Sequence, residues 1–253
     1  MRFVLFALLL IIGLSSKAQI RTAHVYVALC DNEHQGIVPV PATLGNGKDP
    51  VTNLYWGAAY GVKSYFRTRA QSWEIVDVPE SNDPFILERM LFRHKSDSVY
   101  LLAEAYDGEQ IQDCIEDFLL ASNGQRPVVV EDHGLSLSFG GGADVLAYVG
   151  HDGLMDFGVD LQYHSNETEK KDVMILACCS MRYFAPEIQK AGANPVLWTT
   201  HLMAPEAYAL EAALDGWIKN ESGTLIEERA AQAYHKYQNC AINGARNLFV
   251  SGF

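Results

Sequence analysis

Residues 144–150 and 172–177 form two short apolar runs, each entered by an aspartate and each left by chemically reactive side chains, and they constrain the fold more than anything else in this chain. Runs of that length without polar alternation are buried on both faces, the situation of central strands in a parallel sheet. Parallel neighbours need crossovers that cover the sheet, so helices belong on both sides of it. In sheets of this kind the working residues collect beyond the carboxyl ends of the strands.

The remaining pattern fits that frame. Residues 24–29 read as a buried strand opening into a long loop that carries Pro39, Pro41 and Gly45. Asp49 and Pro50 supply a helix start, and Leu54, Ala58, Val62 and Phe66 recur every fourth residue, predicting a helix to about Arg67. Strands follow at 73–78 and 99–106, then a helix with Ile111, Cys114, Ile115, Phe118 and Leu119 on one face. Residues 128–139 read as an inserted hairpin ahead of Gly140, Gly141 and Gly142, which precede a strand and so lack the setting of a phosphate cradle. A helix at 183–190, a strand at 195–200 and helices at 205–219 and 225–239 complete the series. The expected fold is a single α/β domain of three layers over residues 19–253, with a mostly parallel central sheet and helices on both faces.

At the amino end Arg2 precedes an apolar run over residues 3–14, followed by Ser16, Lys17 and Ala18. That layout predicts a secretory signal peptide over residues 1–18, with Gln19 as the new terminus and a periplasmic or secreted product. The run is short of the roughly 20 residues that span a bilayer, and no cysteine follows the cut, so no membrane anchor is expected after cleavage. The chain carries a formal charge of −12, and the leader takes away two cations and no acid. Nucleic acid and anionic membrane surfaces both demand a basic patch and are disfavoured as partners.

Cys30, Cys114, Cys178, Cys179 and Cys240 are an odd set without the paired spacing of a zinc site, so at least one thiol is unpaired. His133, His151, His164 and His201 also lack metal-motif spacing, and neither metal nor cofactor is expected. Three strand ends carry groups able to react: Cys30-Asp31-Asn32, His151-Asp152-Gly153 and Cys178-Cys179-Ser180. A thiolate with an imidazole to take its proton suffices for acyl transfer, and a glycine beside the histidine lets a substrate carbonyl approach backbone N–H donors.

The run Asp144-Val145-Leu146-Ala147-Tyr148-Val149-Gly150-His151-Asp152-Gly153, with Asp172-Val173-Met174-Ile175-Leu176-Ala177-Cys178, resembles the two motifs of the caspase-like cysteine peptidases, which include caspases, legumains, gingipains and CHAT-type proteins. The order of elements over residues 23–220 is compatible with that family's fold. The resemblance implies Cys178 as nucleophile, His151 as general base, and an oxyanion hole from the N–H groups of Cys178 and Gly153. The sequence departs from the pattern at Asp152, which separates His151 from Gly153, so that Asp152 could supply the second N–H itself. His133-Gly134, after an apolar run, is a rival base; His151 is favoured because its strand is next in sequence to the cysteine strand.

Asp31, Asn32, Asp152, Cys179 and Trp198 are expected around the substrate, although Asp31 and Asn32 also suit an ordinary turn. The first expectation is therefore an exported cysteine peptidase or amidase acting on a peptide or protein. A non-catalytic binding or scaffold domain of the same fold, favoured by the inserted Asp152, and a thiol redox protein using the vicinal cysteines stand as alternatives.

Overall fold

The computed structural model describes residues 19–165 and 170–253, so the expected signal peptide lies outside the described residues. In chain order the elements are β1 (Arg21–Ala28), α1 (Val62–Thr68), β2 (Trp73–Asp77), β3 (Ile86–His94), β4 (Val99–Tyr106), α2 (Ile111–Ser122), β5 (Pro127–Asp132), β6 (Leu135–Gly140), β7 (Val145–Val149), β8 (Asp172–Leu176), α3 (Ser180–Ala191), β9 (Asn194–Thr199), α4 (Ala207–Ile218), α5 (Gly223–Gln238), α6 (Ile242–Leu248) and β10 (Phe249–Val250).

Eight strands form one sheet in the order β10-β9-β8-β7-β1-β4-β3-β2. Its centre, β9 through β4, is parallel, while β10 pairs antiparallel with β9 at one edge and β3 pairs antiparallel with both β4 and β2 at the other. Side chains alternate between faces along each strand. Val25, Val27, Ala147, Val149, Met174 and Leu176 turn to one face and pack with Phe66 of α1, Leu210 and Leu214 of α4 and Ile226 of α5. Tyr26, Leu146, Tyr148 and Ile175 turn to the other and pack with Ile115 and Phe118 of α2 and Phe184 and Ile188 of α3. This is the three-layer α/β architecture expected from the two apolar runs. No helix among the described residues is long and apolar enough to cross a membrane.

The sheet's topology sets the location of polar chemistry. From β1 the chain goes to α1 on one face, and from the adjacent β4 it goes to α2 on the other. Loops diverging from neighbouring strands leave a crevice at their carboxyl ends. The strand next to β1 on its other side, β7, and then β8 end at the same edge, since Val27 pairs with Val149 and Val149 with Leu176.

Two differences from expectation have visible causes. The helix predicted from Asp49 begins only at Val62, and residues 50–61 fold as successive turns around Asn53. That buried side chain accepts from the N–H groups of Cys30 (3.0 Å) and Tyr55 (3.1 Å) and donates to the carbonyls of Cys30 (2.8 Å) and Asn46 (3.0 Å). These four side-chain bonds, two of them reaching Cys30 beyond β1, replace the helical ladder, and Gly57 permits the tight path because a Cβ there would meet the Val51 carbonyl oxygen. The second difference is β3, whose mixed sequence hides a strand. Its Arg89 points inward to the buried Glu104 at 2.6 Å, so a charge occupies a core-facing position.

Candidate active site

The turn from β8 into α3 holds the vicinal thiols. Thr199 and Ser180 build it: the Ser180 hydroxyl donates to the Ile175 carbonyl (2.9 Å) and accepts from the Thr199 N–H (2.9 Å), while the Thr199 hydroxyl accepts from the Ser180 N–H (3.2 Å) and donates to the Ala177 carbonyl. All of these groups are buried, so the strand end is fixed by bonds that no water replaces. Cys179 takes a left-handed conformation (φ 52°) and its N–H donates to the His201 carbonyl at 2.9 Å. A non-glycine residue in that region at a strand-to-helix turn is strained, and such strain collects at functional sites.

Cys178 is half-buried. Its sulfur contacts the Met203 backbone, accepting from the N–H at 3.4 Å and lying 3.5 Å from the carbonyl. Burial pushes the thiol's pKa up; the Met203 hydrogen bond pulls it back, and the proximity of Cys179 and Asp152 adds to the rise. The resting group is thus a neutral thiol. All five cysteines are free, and burial also pushes Cys30 up to about 11 and raises Cys114 further.

His151 and Cys178 occupy equivalent places. Each is the second residue beyond a paired position, Val149 and Leu176, of adjacent parallel strands, so both emerge at one edge. His151 is buried, and its Nε2 lies 2.7 Å from Asp156 Oδ2. With Nε2–H donated to that carboxylate, Nδ1 keeps its lone pair and can accept a proton. The His151 carbonyl accepts from the Tyr148 hydroxyl (2.7 Å) and from the Gly153 N–H (3.0 Å), which holds the segment in a single turn. The imidazole and the thiol are not hydrogen-bonded to each other: one is held by Asp156, the other by Met203. Such bonds are commonly unformed until a substrate closes the site.

The Gly153 amide, expected as an oxyanion donor, is thus already engaged by the His151 carbonyl. Among the described residues the amides of Asp152 and Cys178 make no hydrogen bond. Asp152 itself is fully buried; its Oδ1 accepts from the Leu154 N–H at 3.1 Å.

Asp31 and Asn32 stand at the end of β1, and the turn reading describes them well. Asp31 accepts from the N–H groups of Glu33 (2.8 Å) and His34 (3.3 Å) and holds the His34 ring at 2.9 Å; Asn32 exchanges two bonds with Val40. Both line a cavity of about 330 Å³ with His34, Gly47 and Lys48. This loop adjoins the histidine turn, since a Cβ on Gly36 would lie 2.8 Å from the Asp156 carboxylate.

Two expected site residues lie elsewhere. Trp198 is not a cleft wall: it is 0% exposed and packed in the core, with the exposed Phe253 ring edge-on at 5.3 Å, because its position in β9 turns it toward the face covered by α3. His133 is at the tip of the β5–β6 hairpin, 91% exposed, 3.8 Å from Asp132. Ser138 and Gly140 of β6 bond to Thr22 and His24 near the start of β1, so the tip points to the amino ends of the parallel strands. The Cys178 edge is at the level of Val27, five strand residues or roughly 17 Å away. Among the described residues no three histidine, cysteine or acidic side chains converge as a metal-ligand set.

Asp156 is the site residue that sequence reasoning missed. It caps the short 3₁₀ turn Gly153–Met155, too brief to leave a periodic pattern in the sequence, and only its spacing of five residues from His151 could have pointed to it. No protein-family profile, curated protein or solved structure matches the chain.

Proposed function

We propose that the chain is a cysteine hydrolase of peptide or amide bonds, exported from the cell and similar in plan to the caspase-like peptidases. The single observation carrying this reading is the equivalent placement of Cys178 and His151 at the ends of paired parallel strands, with the imidazole oriented by a carboxylate. In it, the Cys178 sulfur gives its proton to His151 Nδ1 and attacks the scissile carbonyl. The oxyanion is met by the Cys178 amide. As the C–N bond breaks, the imidazolium protonates the leaving amine, and water then attacks the thioester to release the acid and restore the thiol. Asp156 fixes the tautomer and stabilises the imidazolium, the part a third residue plays in such constellations. Cys178→Ala is expected to abolish both hydrolysis of a peptide library and labelling by a cysteine-directed electrophile; retention of both contradicts the reading.

One observation favours a non-catalytic domain instead. The resting thiol is neutral and tied to Met203 rather than to an imidazole. A binding domain of that kind hydrolyses nothing, and its Cys178 alkylates no faster than an ordinary buried thiol.

A further inference from the structure

Asp152 is the residue that breaks the His-Gly motif, and its side chain has an unusual setting. It is 0% exposed; Oδ1 accepts one backbone N–H, and Oδ2 is buried with no hydrogen-bond partner. Asp152 is the third residue beyond Val149 of β7 and Cys178 the second beyond its partner Leu176 of β8, and the Asp152 charge adds to the rise of the Cys178 thiol. The groups facing it are Asp156 and the Leu154 and Met155 amides from its own turn, the neutral Tyr148 phenol from β7, and Cys178 from the end of β8; none is a cation. A buried carboxyl with an unpaired oxygen, a like charge nearby and no cation relieves its desolvation by keeping a proton.

We infer that Asp152 acts on the reaction through Cys178, leaving the thiol free to ionise while its own carboxyl is protonated and holding the sulfur as an unreactive thiol once ionised. This rests on Cys178 being the nucleophile. When Cys178 loses its proton, the Cys178–Asp152 pair carries one negative charge if Asp152 is neutral and two if it is ionised, so ionisation of either opposes ionisation of the other. Burial, with Asp156 adding to it, pushes Asp152 up to about 7, which puts the change between its two forms within the working range of a hydrolase. The site then loses thiolate as Asp152 ionises, against the usual gain of thiol reactivity with pH.

The test is the rate of Cys178 alkylation by iodoacetamide, mapped by peptide mass spectrometry, in the wild-type chain and in Asp152→Asn. The variant keeps the Oδ1 acceptor and the size of the side chain but cannot ionise. The expected ratio of variant to wild-type rates is near one at about pH 5 and rises to at least about threefold at about pH 8. A ratio that stays constant with pH overturns the inference. In the wild-type chain, selectively ¹³C-labelled aspartate carboxyls include one titrating near neutrality; if none does, the inference fails even where the variant does not fold. Hydrolysis that survives Cys178→Ala marks failure of the underlying reading instead, whereas hydrolysis lost in Cys178→Ala with a constant ratio marks failure of the Asp152 inference alone.

Discussion

His151 Nε2 and Asp156 Oδ2 lie 2.7 Å apart, five residues from each other along one turn, so the imidazole is aimed by a carboxylate from its own loop. Asp156 is partly exposed, and its contribution is accordingly smaller than that of a fully buried orienting acid. Asp156→Ala is expected to lower kcat for a peptide substrate by roughly tenfold to hundredfold, with KM little changed, because it disturbs the base and not the binding surface. Steady-state kinetics of the variant check this; an unchanged kcat removes Asp156 from the mechanism.

The lock at the β8–α3 turn is structural. Thr199→Val removes a hydroxyl that accepts from Ser180 and donates to Ala177, leaving buried partners unsatisfied. A loss of about 1–3 kcal/mol is expected in urea unfolding. The shift belongs in the midpoint, with the slope unchanged.

Burial ranks the thiols. Cys30 is pushed up to about 11 and Cys114 higher still, both in the core, whereas Cys178 and Cys179 are half-buried. Alkylation of the folded protein is expected to modify Cys179 and Cys240 first, Cys178 at a rate set by Asp152, and Cys30 and Cys114 last; modification of the two core thiols as fast as Cys179 contradicts the packing described here.

Asp152 also links stability to pH. Its folded pKa, about 7, is above the unfolded value, so the folded state holds the proton more tightly. The stability this contributes is fully present below about pH 4 and is lost as pH rises toward 7. Asp152→Asn does not share that loss. Between about pH 4 and pH 8 the variant is expected to gain about 2–4 kcal/mol of stability relative to wild type. Chemical denaturation at the two pH values measures the difference.

The centre of the sheet at β7 and β8 was legible because strands buried on both faces read as almost continuous apolar runs. Residues 144–150 and 172–177 announce themselves, and the hairpin at 128–139 is bounded by glycine. Elements whose stability is tertiary were not legible. Trp198 reads as a reactive-edge residue from its place at a strand end, but the face it turns to is set by α3, which lies beyond any local pattern. The late start of α1 reflects Asn53, one buried amide whose four bonds outweigh a helical period. His133 resembles a catalytic histidine in sequence, and only the anchoring of β6 to Thr22 and His24 shows that its hairpin points to the opposite edge.

Covalent trapping addresses the nucleophile itself. The protein, its His151→Ala variant and its Cys178→Ala variant are each treated with a mixture of peptidyl acyloxymethyl ketones and analysed by intact mass and peptide mapping. The account predicts one adduct per chain on Cys178, much slower labelling in His151→Ala and none in Cys178→Ala. An adduct on Cys179 or another residue that persists in Cys178→Ala contradicts it.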